Sequence, residues 1–138
     1  DDLSRGLGDV YKRQLVGQYA PVVGLFLEQW KKGEAFTIVG DGEQRRDFTH
    51  VDDVVKANIA AAERASDISG EIINVGTGTN HSINQIADMI CNSYTKNFIP
   101  PRPAEARVTL ADISKAKKLL GYMPSIEISD WIDEYKVQ

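Results

Sequence analysis

Apolar residues recur at spacings of three and four near the start of the chain. Val22, Val23, Phe26, Leu27 and Trp30 share one side of a helix, and Glu28, Gln29, Lys31 and Lys32 fill the other. Pro21 suits the first turn of that helix and Gly33 its C′ position. A strand is predicted over 36–39, then a turn at Gly40-Asp41-Gly42, then a second strand over 46–49. The next helix spans 51–64. Asp52 and Asp53 lie in its first turn and Arg64 in its last, matching the helix dipole, while Val51, Val55, Ile59 and Ala62 form one ridge expected to be buried. The β-branched run over 71–76 predicts a buried strand.

Beyond the Thr77–His81 loop, Ser82-Ile83-Asn84-Gln85 has the form of a capping box. Ile83, Ile86, Ala87, Ile90 and Tyr94 give the stripe behind it. Residues 97–99 read as a strand ended by proline. Asp112 is expected to cap a short helix bearing Ile113, Ala116, Leu119 and Leu120, stopped by Gly121 and Pro124. Ser129 is expected to cap a last helix holding Trp131, Ile132 and Tyr135. Strands alternate with helices, so the class is α/β. Residues 1–14 show neither period and no apolar face; they are set apart as a non-native or disordered leader, which leaves 15–138 as the working domain.

Composition narrows the functional classes. The chain has 138 residues, enough for one domain with a core. A net charge of −4 gives no bulk electrostatic case for nucleic acid or an anionic membrane surface, and no apolar run approaches a membrane span. The single cysteine, Cys91, reads as a small buried apolar residue, and its lack of a pairing partner fits a reducing cytoplasm.

Several candidate chemistries fail on spacing. Gly76-Thr77-Gly78 follows a strand and precedes a helix, as a dinucleotide fingerprint does, but the third glycine position is His81. A plain turn is favoured. His50 and His81 have no ligand-like spacing to a second donor and read as structural. Asp52 and Asp53, as helix neighbours, point about 100° apart and read as helix-terminal charges rather than a dyad.

The string "GDGEQRRDFTH" is different. On a strand, Arg45 and Arg46 face opposite ways, so only Arg46 shares a face with Phe48. A guanidinium beside an aromatic needs a partner, and Asp47 is on the wrong face to be one. A bound phosphate suits its planar fork of donors. A remote acid such as Glu105 suits it equally well.

"GDGEQRRDFTHVDDVVKANIAA", preceded by "YAPVVGLFLEQWKKGEAFTIV" and followed by "INVGTG" and "RPAEARVTLADISKAKKLLGY", resembles the C-terminal part of NAD-dependent sugar-nucleotide epimerases and dehydratases, the extended short-chain dehydrogenase/reductase group. The resemblance runs from about Tyr19 to the end. It implies a small sheet with packed helices that forms the substrate-binding portion, with the Rossmann half missing. It also implies that Arg46 and Arg102 contact the diphosphate of a nucleotide-sugar, most readily a UDP-sugar, and that Arg45 is a solvated outer-face residue. Ala104 stands where the family's Arg-x-Gly-Asp/Glu pattern has glycine.

No Tyr-x-x-x-Lys pair and no cofactor fingerprint occur in the sequence. The resemblance therefore implies a parent enzyme, a homodimer using NAD, of which this chain is an inactive fragment without catalytic residues, cofactor site or metal site. His50 favours a UDP-glucose 4-epimerase-like parent. The alternatives are a 4,6-dehydratase fragment or a freestanding non-catalytic nucleotide-binding module. An absent partner half also implies an exposed apolar patch, including the outer side of the 51–64 helix.

Overall fold

The computed structural model describes residues 22–137. The expectations for residues 1–14, for Tyr19 and for Pro21 lie outside them. Nine elements follow in chain order: α1 (Val22–Lys32), β1 (Phe36–Val39), β2 (Arg45–Arg46), α2 (Val51–Glu63), β3 (His81–Ser82), α3 (Ile83–Ile90), β4 (Lys96–Ile99), α4 (Ser114–Leu120) and α5 (Ile128–Val137). The fold is α/β, as the alternation predicts. The described residues divide into two compact units, one of residues 22–43 and 83–105, the other of residues 44–82 and 106–137.

In the first unit β1 and β4 form a parallel pair with Phe36 opposite Lys96 and Val39 opposite Ile99. Phe36 and Ile38 are fully buried, as are Phe26 of α1 and Ile86, Ala87 and Ile90 of α3. The Phe26 and Phe36 rings stack at 4.9 Å, and Tyr94 tilts against Phe36 at 4.8 Å. Gln29 departs from its expected outer face. Its side-chain amide accepts from the Thr37 N–H at 3.0 Å and donates to the Thr37 hydroxyl at 2.9 Å, standing in for a neighbouring strand. Gly33 ends α1 at a φ of 71°, as its C′ assignment requires. Cys91 is half-buried and sits one residue past α3.

In the second unit a cluster of Ala57, Ile113, Ala116, Leu120 and Tyr122 forms the core, with Ala60, Ala61, Ile68, Ile73 and Val75 packed against it. This reverses the expected face of α2. Val51, Val55 and Ile59 are 45%, 47% and 54% exposed, and Ala62 is exposed too; Asp53 and Ala57 are buried instead. The helix carries two apolar stripes, and the alanine one packs because it admits α4 closely. The exposed β-branched stripe is the ridge expected to be buried, not the outer side expected to be exposed.

The expected strand over 71–76 forms no ladder among the described residues. Its alternation survives, with Ile73 and Val75 turned to the core and Ile72 85% exposed, but no neighbouring strand supplies hydrogen bonds. β2 stops at Arg46 instead of running to Thr49, because Asp47 leaves the ladder for a loop. Asp112 accepts from the Ser114 N–H at 3.0 Å, one residue ahead of its expected alignment, and Gly121 closes α4 at a φ of 63°. α5 opens at Ile128, so Ser129 lies inside it rather than capping it.

Ala104 holds a left-handed backbone at a φ of 58°, so the chain keeps there a conformation that suits glycine. Ala104→Gly is expected to stabilise the chain by about 1 kcal/mol in urea unfolding. By the same assay Ile59→Ser should change stability by no more than about 0.5 kcal/mol, while Ala57→Leu should cost about 1–3 kcal/mol by overpacking. The reverse order would restore the originally expected face of α2.

Candidate functional site

β2 is a two-residue strand held on both sides. Arg45 and Arg46 pair antiparallel with Ser82 and His81 of β3. On the other edge the Arg45 N–H donates to the Arg107 carbonyl at 2.8 Å, and the Thr109 N–H donates to the Arg45 carbonyl at 3.0 Å. The backbone that carries the arginine pair is thereby fixed.

The two side chains differ. Arg45 is half-buried, not a solvated outer-face residue: its Nε donates to Asn80 Oδ1 at 2.8 Å and its Nη2 to the Asn80 carbonyl at 2.9 Å. Its role is to tie β2 to the segment leading into β3. Arg46 is also half-buried, and its Nη1 donates to the Arg45 carbonyl at 2.8 Å. Arg102 is exposed and follows Pro101, two residues ahead of Ala104. Arg46 belongs to the second unit and Arg102 to the first.

Asp47, adjacent to Arg46, does the work that sequence reasoning missed. Its Oδ1 accepts from the Thr77 N–H at 2.9 Å and the Thr77 hydroxyl at 2.7 Å. Its Oδ2 accepts from the Gly78 N–H at 3.0 Å and the Ala111 N–H at 3.3 Å. Burial alone would raise its pKa, but these donors outweigh that and hold the carboxyl below the ordinary aspartate value. They also explain the glycine pair. A Cβ on Gly76 would fall 2.8 Å from Asp47 Oδ2 and onto the Ala111 methyl, and Gly78 has a φ of 77°. The loop's amides are committed to an internal carboxylate, so it offers no cradle for a pyrophosphate.

Asp53, expected as a helix-terminal charge, is fully buried. It accepts from the Ser125 N–H and the Ile126 N–H at 3.1 Å and from the Ser125 hydroxyl at 3.0 Å, with Lys56 Nζ 3.4 Å away. Burial pushes its pKa up, yet the two amides, the hydroxyl and the ammonium together bring it below the ordinary value. It fixes the segment that enters α5. The imidazole of His50 caps α2, its Nδ1 accepting from the Asp52 N–H at 3.1 Å, and its ring faces Trp131 at 6.4 Å. His81 lies in β3 opposite Arg46. His50 thus serves the framework. Among the described residues no group of His, Cys, Asp and Glu is placed to hold a metal ion, and no helix is long and apolar enough to cross a membrane.

Residues 13–76 match the NAD dependent epimerase/dehydratase family. The chain is similar to members of that family. It is 43% identical, over 67% of its length, to a UDP-glucuronate 4-epimerase of Thermodesulfobacterium geofontis, and covers 29% of that protein. It is 40% identical, over 86% of its length, to a UDP-N-acetyl-alpha-D-glucosaminuronate decarboxylase of Bacillus cytotoxicus, covering 39% of it. Among solved structures, the UDP-glucuronic acid 4-epimerase of Bacillus cereus in complex with UDP-glucuronic acid and NAD superposes with a TM-score of 0.73 at 38% identity. That match covers 82% of this chain and 37% of the other. The chain thus spans roughly a third of the relatives it matches, and its fold is that of the C-terminal portion of extended short-chain dehydrogenase/reductase epimerases.

The two aspartates make stability acid-sensitive. Each has a folded pKa below its ordinary value of 3.8, so its contribution is fully present above that value and is lost as pH falls through the lower folded one. Urea unfolding between pH 7 and pH 3 should show stability falling at the acid end. Asp53→Asn should be less stable at pH 7 and flatter with pH. Asp53→Ala should cost about 3 kcal/mol at pH 7, since the amides it serves are left unpaired. A pH profile unchanged by both substitutions would remove Asp53 from the account.

Proposed function

We propose that the chain is the nucleotide-sugar-binding portion of an NAD-dependent nucleotide-sugar 4-epimerase, with Arg46 and Arg102 each donating to the diphosphate of a UDP-sugar. The observation that carries this reading is Arg46, presented from a strand held on both edges, in a chain 38% identical to a solved epimerase carrying UDP-glucuronic acid. A guanidinium matches two phosphate oxygens at once, and a fixed backbone lowers the cost of ordering it. UDP-glucuronic acid is the first ligand to test. The similarity to a decarboxylase favours a second reading, in which the same diphosphate contacts serve a decarboxylating enzyme.

NAD, when bound in such an enzyme, takes hydride from the sugar carbon that is oxidised. The residues present here do not fit it. Among the described residues, the Gly-x-Gly loop ahead of a helix lacks its third glycine, and its amides are held by Asp47. Proton abstraction needs a tuned base, and no tyrosine here has a lysine one helical turn on. The reading assigns this chain binding without turnover. Cofactor and base come from other parts of the enzyme.

Calorimetric titration of the chain with UDP-glucuronic acid should give weak binding, and titration with NAD none in the micromolar range. Arg46→Ala and Arg102→Ala should each weaken the sugar-nucleotide by about tenfold to a hundredfold, whereas Arg45→Ala should lower stability rather than affinity. A harmless Arg46→Ala would remove Arg46 from the site. Micromolar NAD affinity, or epimerised product above blank, would overturn the assignment of binding alone.

A further inference from the structure

We infer that Asp47 is the positioning residue for Arg46, holding the arginine strand, the Gly76–Gly78 loop and Ala111 in one fixed arrangement that presents the guanidinium to a diphosphate. The inference rests on the diphosphate reading of Arg46. It deepens that reading by assigning a second residue, one that acts without touching the ligand.

Three observations support it. First, Asp47 follows Arg46 directly, so its carboxylate fixes the point where the chain leaves β2. Second, the anchors come from two distant segments. Thr77 and Gly78 bind one or both oxygens, Ala111 binds Oδ2, and the Thr49 hydroxyl adds a 3.3 Å bond to Oδ1 from the near side. The Asp47 N–H meets the Thr109 hydroxyl at 3.4 Å, on the same segment that pairs with Arg45. Third, Gly76 leaves room for the carboxylate, since any side chain there would strike Asp47 Oδ2 and Ala111.

Every group aimed at the carboxylate is a donor. An amide in its place would turn an NH₂ toward N–H groups on one side, so Asp47→Asn breaks part of the arrangement while conserving volume. A residue that acts only through Arg46 also has a signature in a double-mutant cycle: once Arg46 is gone, its own substitution costs no further affinity.

The experiment measures uridine diphosphate affinity by calorimetry and amide hydrogen exchange on the 138-residue chain. The variants are Asp47→Asn, Arg46→Ala, their combination, and Thr77→Val. Asp47→Asn should speed exchange at Thr77, Gly78 and Ala111 by about tenfold or more and weaken uridine diphosphate about tenfold. The double variant should bind no more weakly than Arg46→Ala alone. Thr77→Val removes one hydroxyl donor and leaves the carboxylate in place; it should cost a few-fold in affinity, only where Arg46 is present, and it decides the matter if Asp47→Asn does not fold. Additive losses in the cycle, or affinity unchanged by the folded variants, would overturn the positioning role alone. An unsubstituted chain with no affinity for uridine diphosphate would overturn the diphosphate reading beneath it.

Discussion

A carboxylate taken out of water must be met by donors, and the unit containing β2 is organised by that requirement twice. Asp47 gathers the amides of Thr77, Gly78 and Ala111; Asp53 gathers those of Ser125 and Ile126. Each donor group lies far along the chain from its acceptor, so the two anions perform the joining that a longer sheet would otherwise supply. β2 and β3 are two residues each, too short to hold loops by ladder bonds alone. The apolar cluster of Ala57, Ala116, Leu120 and Tyr122 closes the space between them, and the Tyr122 hydroxyl donates to the Gly76 carbonyl at 2.7 Å, beside the Asp47 network.

The unit containing β1 solves a related problem with a neutral side chain. A two-stranded sheet leaves each strand one unpaired edge, and Gln29 covers part of that edge of β1 from within α1. In the turn after β1 the Asn84 amide donates to the Asp41 carbonyl at 3.0 Å and to Glu43 at 2.6 Å. Gly42 is required there, because a Cβ at its position would overlap the Asn84 amide. In both units polar side chains complete what short strands leave open.

The sequence made legible what is encoded locally. α1, β1, β4 and α4 follow from periodicity and from Gly33 and Gly121, whose effects reach only a turn or so. The arginine pair stood out by composition and by family resemblance. Asp47 and Asp53 did not, because their partners are mostly backbone N–H groups, which every residue but proline carries and which leave no mark in a sequence. Asn80, the partner of Arg45, lies 35 residues away in the chain. The buried side of α2 was misread for a different reason. Both its stripes are apolar, and periodicity ranks the larger side chains first, whereas close approach of α4 selects the smaller. Residues 71–76 have strand composition, but a strand also needs a neighbour, and that is a property of what surrounds the segment.

The parallel pairing of Phe36 with Lys96 has a consequence for how the chain acquires its structure. Neither unit is continuous in sequence: each is interrupted by part of the other. During synthesis α1 and β1 emerge before α3 and β4, with Phe26, Leu27 and Phe36 in need of cover, and those partners are made only after the whole 44–82 segment. Long-range closure of this kind is slow relative to local helix formation. The early segment must therefore wait with its aromatic face uncovered, and the vulnerable interval in the life of this chain falls before residue 99 leaves the ribosome, when aggregation competes with folding.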